Sequence, residues 1–200
     1  MTIVEDRPAA AYEAARRAMI DSQLRTSGVN DEFVLARMNA VARERFVPPA
    51  ARGHAYIDRA IALGDGGFLA APVVHGTMLQ EARPLPTDRA LVVEGGSGYL
   101  PELLRPLVGS LDVMSAAEAV TAPQGGDYSL LLVDGAAEVL PPALTGVLAD
   151  GGRVVTGWLR DNVTCLAVGR KAGGEVALLA LAEMGIPVLP AFARPTEWSF

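Results

Sequence analysis

Residues 91–104, LVVEGGSGYLPELL, decide the fold. An apolar run, Leu91, Val92 and Val93, meets Glu94 and the glycines Gly95, Gly96 and Gly98. Tyr99 and Leu100 then open a second apolar stretch. A short continuous apolar run closed by glycines reads as a strand buried on both faces, and the segment behind it reads as a helix. Strand, glycine loop and helix in that order open a βα unit of a parallel sheet. In open α/β sheets ligands bind beyond the carboxyl ends of the strands, which makes this loop the leading candidate site.

Further strand signals lie downstream at residues 110–114, 129–133 and 153–159, separated by segments that can be helical. The alternation predicts a largely parallel sheet covered on both faces. Two more apolar runs, 163–168 and 176–182, are expected as an antiparallel edge pair. Upstream, Tyr12, Ala15, Met19, Ile20 and Leu24 recur at helical spacing, and Gly28 is placed to end that helix. Asn30 or Asp31 can cap a second helix whose apolar face is Phe33, Val34, Met38 and Val41. Pro72 opens a third, through about Ala82, and residues 84–88 (PLPTD) make a turn. The fold class is α/β: one structural domain, with residues 1–83 forming a helical N-terminal extension and 84–200 the sheet-bearing core.

Composition narrows the function. The formal net charge is −6, from 17 basic and 23 acidic residues without a basic block, which argues against nucleic acid and anionic membranes as partners. Residues 1–10 lack a secretory h-region, and no apolar run approaches the roughly 18 residues of a membrane span, so a cytoplasmic location is expected. A single cysteine, Cys165, sits in an apolar run and reads as a small buried hydrophobe. With only His54 and His75, no metal site is expected.

The loop fails three common fingerprints. A dinucleotide loop needs a third glycine where Pro101 stands; a phosphate-cradling loop needs a Lys-Ser/Thr end; a hydrolase elbow needs glycine where Tyr99 follows Ser97. Six segments together carry a different likeness: AMIDSQLR (18–25) with Gly28 and Val29, VARERFVP (41–48), AYIDR (55–59), Leu63-Gly64, EGGSGY (94–99) and, at fold level, GGRVV (151–155). In this order and spacing the chain resembles the protein-L-isoaspartate O-methyltransferases, which transfer a methyl group from S-adenosylmethionine to the isoaspartyl carboxyl of damaged proteins. The likeness is specific over residues 18–108.

The resemblance implies a class I S-adenosylmethionine-dependent methyltransferase sheet of Rossmann-like build. It places the donor at Glu94, Gly95, Gly96, Ser97, Gly98 and Tyr99, and an isoaspartyl protein or peptide against Asp58, Gly66, Leu69, Ala70 and Pro72. Four departures from the family pattern follow from the same comparison. Ala70 stands where the family has a serine hydroxyl near the reaction centre, which leaves no catalytic side chain to name. Val92 replaces an acidic strand residue, and Glu94 replaces the first glycine of the loop. The stretch after the second strand, Val113-Met114-Ser115-Ala116-Ala117, lacks the acid that receives the ribose hydroxyls, with Glu118 out of register. About a dozen residues then remain before Tyr128, enough for one minimal crossover, so the sheet is expected to be shortened at that edge.

Each singled-out residue also has a plainer reading. Glu94 is either a polar group of an altered pocket or a solvated loop residue. Asp58 either touches substrate or pairs at the surface with Arg59. Asp134-Gly135 reads first as an ordinary turn, although a strand end also suits a site residue. His75 reads as packed or exposed rather than as a base. The tail 192–200, with Arg194, Trp198 and Phe200, either docks on the domain or offers aromatic anchors to a protein partner. Three functions stand side by side: methyl transfer to isoaspartyl proteins, a non-catalytic relative that binds a protein or peptide, or an altered pocket in which Glu94 suits an amine or hydroxyl-bearing ligand.

Overall fold

The protein is described by a computed structural model, and the structure describes residues 8–121, 123 and 125–194. Its centre is a six-stranded sheet in the order β4-β3-β5-β6-β7-β8. The strands are β3 (Arg89–Glu94), β4 (Ser110–Ser115), β5 (Tyr128–Ala137), β6 (Leu148–Arg160), β7 (Val163–Ala172) and β8 (Glu175–Glu183). A separate antiparallel pair precedes them, β1 (Ile61–Ala62) and β2 (Phe68–Leu69). Strands β4, β3, β5 and β6 run parallel, and β6, β7 and β8 form an antiparallel meander. Every strand signal in the sequence is therefore realised, because the apolar runs are the ones the sheet buries: Leu91, Val92, Val93 and residues 130–133 are fully buried.

The first apolar run at helical spacing forms α1 (Ala9–Met19). It continues through a π turn, Ile20–Leu24, and a 3-10 turn, Arg25–Ser27, and ends at Gly28 in the left-handed region. The second is α2 (Glu32–Ala40); Asp31 is its N-terminal flanking residue, but its side chain makes no capping hydrogen bond. The third is α3 (Pro72–Ala82), with Pro72 in its first turn. Three short helices complete the set: α4 (Tyr99–Leu104), α5 (Ala116–Thr121) and α6 (Pro142–Gly146). Arg37 of α2 donates to the carbonyls of Leu103 and Glu102, which ties the extension to α4.

Chain direction reverses at β3. The β3-α4-β4 unit moves to one side and the β4-α5-β5 unit returns past β3 to the other, so right-handed crossovers put α4 and α5 on opposite faces. The crevice between the carboxyl ends of β3 and β5 is the topological switch point, and the glycine loop lies there. Strand β4 is the outer strand on that side, with α5 the only helix between it and β5 among the described residues. No helix among the described residues is long and apolar enough to cross a membrane.

Three expectations change or sharpen. Asp134 is not a turn residue: it lies within β5, fully buried, where the ladder to β6 shifts register between Val133 and Ala136. The two-residue irregularity at Asp134 and Gly135 is what resembles a turn in the sequence. Cys165 is buried, as its apolar run implies. Of the tail, Phe192 is buried and its carbonyl accepts from the amides of Glu138 and Val139, while Trp198 and Phe200 lie outside the described residues.

Candidate functional site

The glycine loop is built against the segment that precedes α3. Phe68 pairs with Gly96 in an isolated parallel bridge, and its amide donates to the Gly95 carbonyl at 2.8 Å. A Cβ on Gly95 would meet Phe68 Cε2 at 2.5 Å and the Asp134 carbonyl at 2.6 Å, so only glycine lets these three segments converge. Gly96, at φ 103°, would bring a Cβ to 2.9 Å from Gly67 Cα. Two stretches 27 to 28 residues apart in the sequence thus form one wall, fastened backbone to backbone.

Glu94 ends β3, half-buried, with Oε2 3.9 Å from where a Cβ on Gly98 would stand. Burial pushes its carboxyl above the usual range, the Gly98 backbone acts the other way, and the nearby Asp134 charge raises it further. Glu94 is thus a polar group folded back onto its own loop. Gly96 is exposed, Ser97 and Gly98 are half-exposed, and Gly95 and Tyr99 are buried. Ser97 Oγ accepts from the Tyr99 amide at 3.2 Å, which leads the chain into α4.

The strand beside β3 ends in Ser115, in register with Glu94. Glu118 accepts from the Ser115 amide and hydroxyl, both at 2.8 Å, and these bonds hold its carboxyl below the usual range. The Ser115 hydroxyl in turn accepts from the Glu118 amide at 3.3 Å, a reciprocal cap at the start of α5. Glu118 is committed to that cap.

On the substrate side, Asp58 and Gly66 are exposed, whereas Leu69, Ala70 and Pro72 are buried. Asp65 accepts from the Gly67 amide at 3.0 Å and shapes the turn between β1 and β2. The resemblance groups these five residues; the structure separates them into a surface pair and a buried trio.

Beneath this wall lies a feature that sequence reading missed. Arg43, fully buried, donates to the carbonyls of Ala55 at 2.9 Å and Ala70 at 2.7 Å. Its Nη1 lies 3.2 Å from His75 Nδ1, and its guanidinium stacks over the Tyr99 ring, 4.8 Å from the centroid. An arginine only donates, so His75 Nδ1 is the acceptor and Nε2 carries the proton, donated to Asp134 Oδ1 at 2.9 Å. The result is a chain of cation, neutral imidazole and carboxylate with every member buried. Burial lowers the Arg43 pKa, opposed by the Tyr99 ring and the Asp134 charge. Asp134 Oδ2 and the Tyr99 hydroxyl have no hydrogen-bond partner. Arg43 was hidden in the sequence because VARERFVP offers two arginines, and only the turn Arg43–Phe46 puts the first inside and leaves Arg45 exposed. His75 is packed, as read, and its partner is the aspartate first read as a turn.

Among the described residues no group of three or more His, Cys, Asp or Glu side chains could hold a metal ion. The loop sits at the switch point, with Gly96 exposed and Ser97 and Gly98 half-exposed, so its backbone is within reach of a ligand there. Glu94 adds a carboxyl to it.

Comparisons with known proteins converge on one family. A family described as Protein-L-isoaspartate(D-aspartate) O-methyltransferase matches residues 14–122. The Protein-L-isoaspartate O-methyltransferase of Roseiflexus castenholzii is 31% identical, over 91% of this chain and 95% of that protein. That of Aeropyrum pernix is 36% identical, over 74% of this chain and 68% of its own length. Among solved structures, a Plasmodium falciparum protein of the same description, crystallised with S-adenosyl-L-homocysteine, superimposes with a TM-score of 0.70 at 19% identity, covering 90% of this chain and 98% of that one. At that identity the likeness speaks for the fold.

Proposed function

We propose, because this chain belongs to the protein-L-isoaspartate(D-aspartate) O-methyltransferase family, that it binds S-adenosylmethionine at residues 94–99 and methylates isoaspartyl carboxyls of damaged cytoplasmic proteins at a low rate. The observation that carries this reading is the fastening of the substrate-side segment to the glycine loop through Phe68, Gly95 and Gly96. It supports the reading because it holds the residues assigned to donor and to substrate side by side.

The donor supplies an activated methyl group. The isoaspartyl carboxylate is already a nucleophile, so this chain needs no strong base and contributes proximity and orientation. Asp58 and Gly66 form the exposed rim for the peptide, and Leu69, Ala70 and Pro72 its floor. Gly96, Ser97 and Gly98 present backbone to the donor. Two features slow the reaction. Ala70 has no hydroxyl to orient the attacking carboxylate. Glu94 brings a negative charge beside Gly98, where a carboxylate-bearing donor must be received.

The experiment is calorimetric titration with S-adenosylmethionine and its demethylated product, followed by a labelled methyl-transfer assay on an isoaspartyl peptide. Binding weaker than for Glu94→Gln by roughly tenfold is expected, equivalent to about 1.4 kcal/mol of like-charge repulsion at a partly solvated site. Because the Glu94 carboxyl titrates above its ordinary value, its charge is lost as pH falls through that raised value. The affinity of the natural protein for either ligand is therefore expected to rise as the pH falls through that raised value, and that of Glu94→Gln to stay level. Equal affinity in both proteins at every pH would remove Glu94 from the site.

A second reading has its own observation. Ala70 at the hydroxyl position and Glu94 beside Gly98 together favour a non-catalytic relative that uses the same cleft to bind a protein or peptide. It predicts no heat with either adenosyl ligand, for the natural protein and for Glu94→Gln alike, and no methyl ester.

A further inference from the structure

We propose that Arg43, His75 and Asp134 act as a buried positioning relay that sets the geometry of the glycine loop from below. The proposal rests on the reading of that loop as the ligand site, and it adds three residues that touch no ligand.

The contacts argue for a positioning role beyond simple packing. The guanidinium of Arg43 is shared among four separate parts of the chain: the Ala55 carbonyl, the Ala70 carbonyl, His75 on α3 and the face of Tyr99, the residue that closes the glycine loop. Ala70 lies two residues after Phe68, whose amide is fixed to Gly95, while Asp134 also presents its own carbonyl to the Gly95 Cα. The loop is thus held between two elements that the relay itself joins: the Phe68 segment on one side and the Asp134 bulge on the other. A planar fork with several donors suits this task, because one rigid group fixes several acceptors at once; a lysine ammonium does not hold that geometry.

Asp134 gives the relay its direction. Its carboxylate can only accept, so it draws the Nε2 proton of His75 and leaves the Nδ1 lone pair for Arg43. An asparagine at this position can instead donate through its amide to Nε2. The imidazole would then carry its proton on Nδ1, facing the Arg43 donors, and Arg43 would be pushed from the Ala70 carbonyl. The change removes one charge with little change of volume, and it takes away the acceptor-only group that fixes the direction of the chain.

Hydrogen–deuterium exchange on the full chain tests this without any ligand. In Asp134→Asn and in Arg43→Lys, the amides of Phe68 and Tyr99 are expected to exchange at least tenfold faster than in the natural protein, while those in β7 stay within about twofold. Uniform acceleration across the sheet, or unchanged Phe68 and Tyr99 amides, would overturn the relay and leave a purely structural cluster. Should either variant fail to fold, nitrogen NMR of His75 in the natural protein at pH 7 decides. A proton on Nε2 and a bare Nδ1 are expected, and a proton on Nδ1 would overturn the assignment. The two proposals fail separately. A natural protein that shows the exchange and NMR pattern but takes up no S-adenosylhomocysteine refutes the ligand site and keeps the relay; binding without that pattern does the reverse.

Discussion

Replacing Asp134 with alanine is expected to lower the free energy of unfolding by about 3–5 kcal/mol, the range for removing one partner of a buried charge pair. Arg43 and Asp134 are both fully buried, with the neutral His75 between them. Without the carboxylate, a guanidinium is left in a low-dielectric interior with no countercharge, and the His75 Nε2 proton has no acceptor. For a domain of this size the loss corresponds to a fall in melting temperature of roughly 10 °C. Asp134→Asn, which keeps the side-chain volume and a polar group against His75, is expected to cost less. Denaturant titration of the two variants measures both numbers. If the uncompensated charge is the cause, adding Arg43→Met to the alanine variant recovers part of the loss, even though the Ala55 and Ala70 carbonyls then lose a donor. A cost below about 1 kcal/mol for Asp134→Ala would mean that the buried cation is neutralised by some other group.

Gly95→Ala is expected to be the second large effect, at about 1–3 kcal/mol of stability, the range for forcing a methyl group into a filled space. The added Cβ would lie 2.5 Å and 2.7 Å from two carbons of the Phe68 ring and 2.6 Å from the Asp134 carbonyl oxygen. The ring can swing aside, but the carbonyl belongs to a strand of the sheet, so relief must come from the loop. The bond from the Phe68 amide to the Gly95 carbonyl is then lost, and with it the contact between the substrate-side wall and the glycine loop. Affinity for S-adenosylhomocysteine should fall together with stability. Gly53→Ala is the control: its Cβ would meet nothing within 4 Å, and a change within roughly 0.5 kcal/mol is expected. Equal effects at the two glycines would show that the loop tolerates the separation of its walls.

The strands illustrate how far local pattern reaches. Leu91 to Val93 and residues 130–133 are apolar without interruption, and an uninterrupted run has one economical fate, a parallel strand buried on both faces. The helix ends were legible for the same local reason: Pro72 can start a helix without forfeiting a bond, and Gly28 can take the left-handed turn that stops one. The shortened edge was legible by counting, since the described residues between Ser115 and Tyr128 carry α5 and no further strand. The location of the candidate site followed from the glycine loop standing after the first strand of the parallel sheet.

The chemistry beneath that site was not legible, and Asp134 shows why. In sequence it precedes a glycine after an apolar strand, the common signature of a turn. In the structure β5 carries on past it through a register shift, and the residue faces inward to meet a histidine 59 positions away. Arg43 and Arg45 are likewise indistinguishable by type and neighbourhood, yet one is a buried hub and the other is exposed. By itself, the order of apolar runs, prolines and glycines determined the sheet, its edge and the place of the loop, because those depend on backbone preference and on burial within a few residues. The inward turn of Arg43, the polarity of the Arg43–His75–Asp134 chain and the half-burial of Glu94 beside Gly98 were decided only by tertiary structure. Whether a charge is buried, and which partner pays for its lost hydration, depends on segments that meet only once the chain has folded.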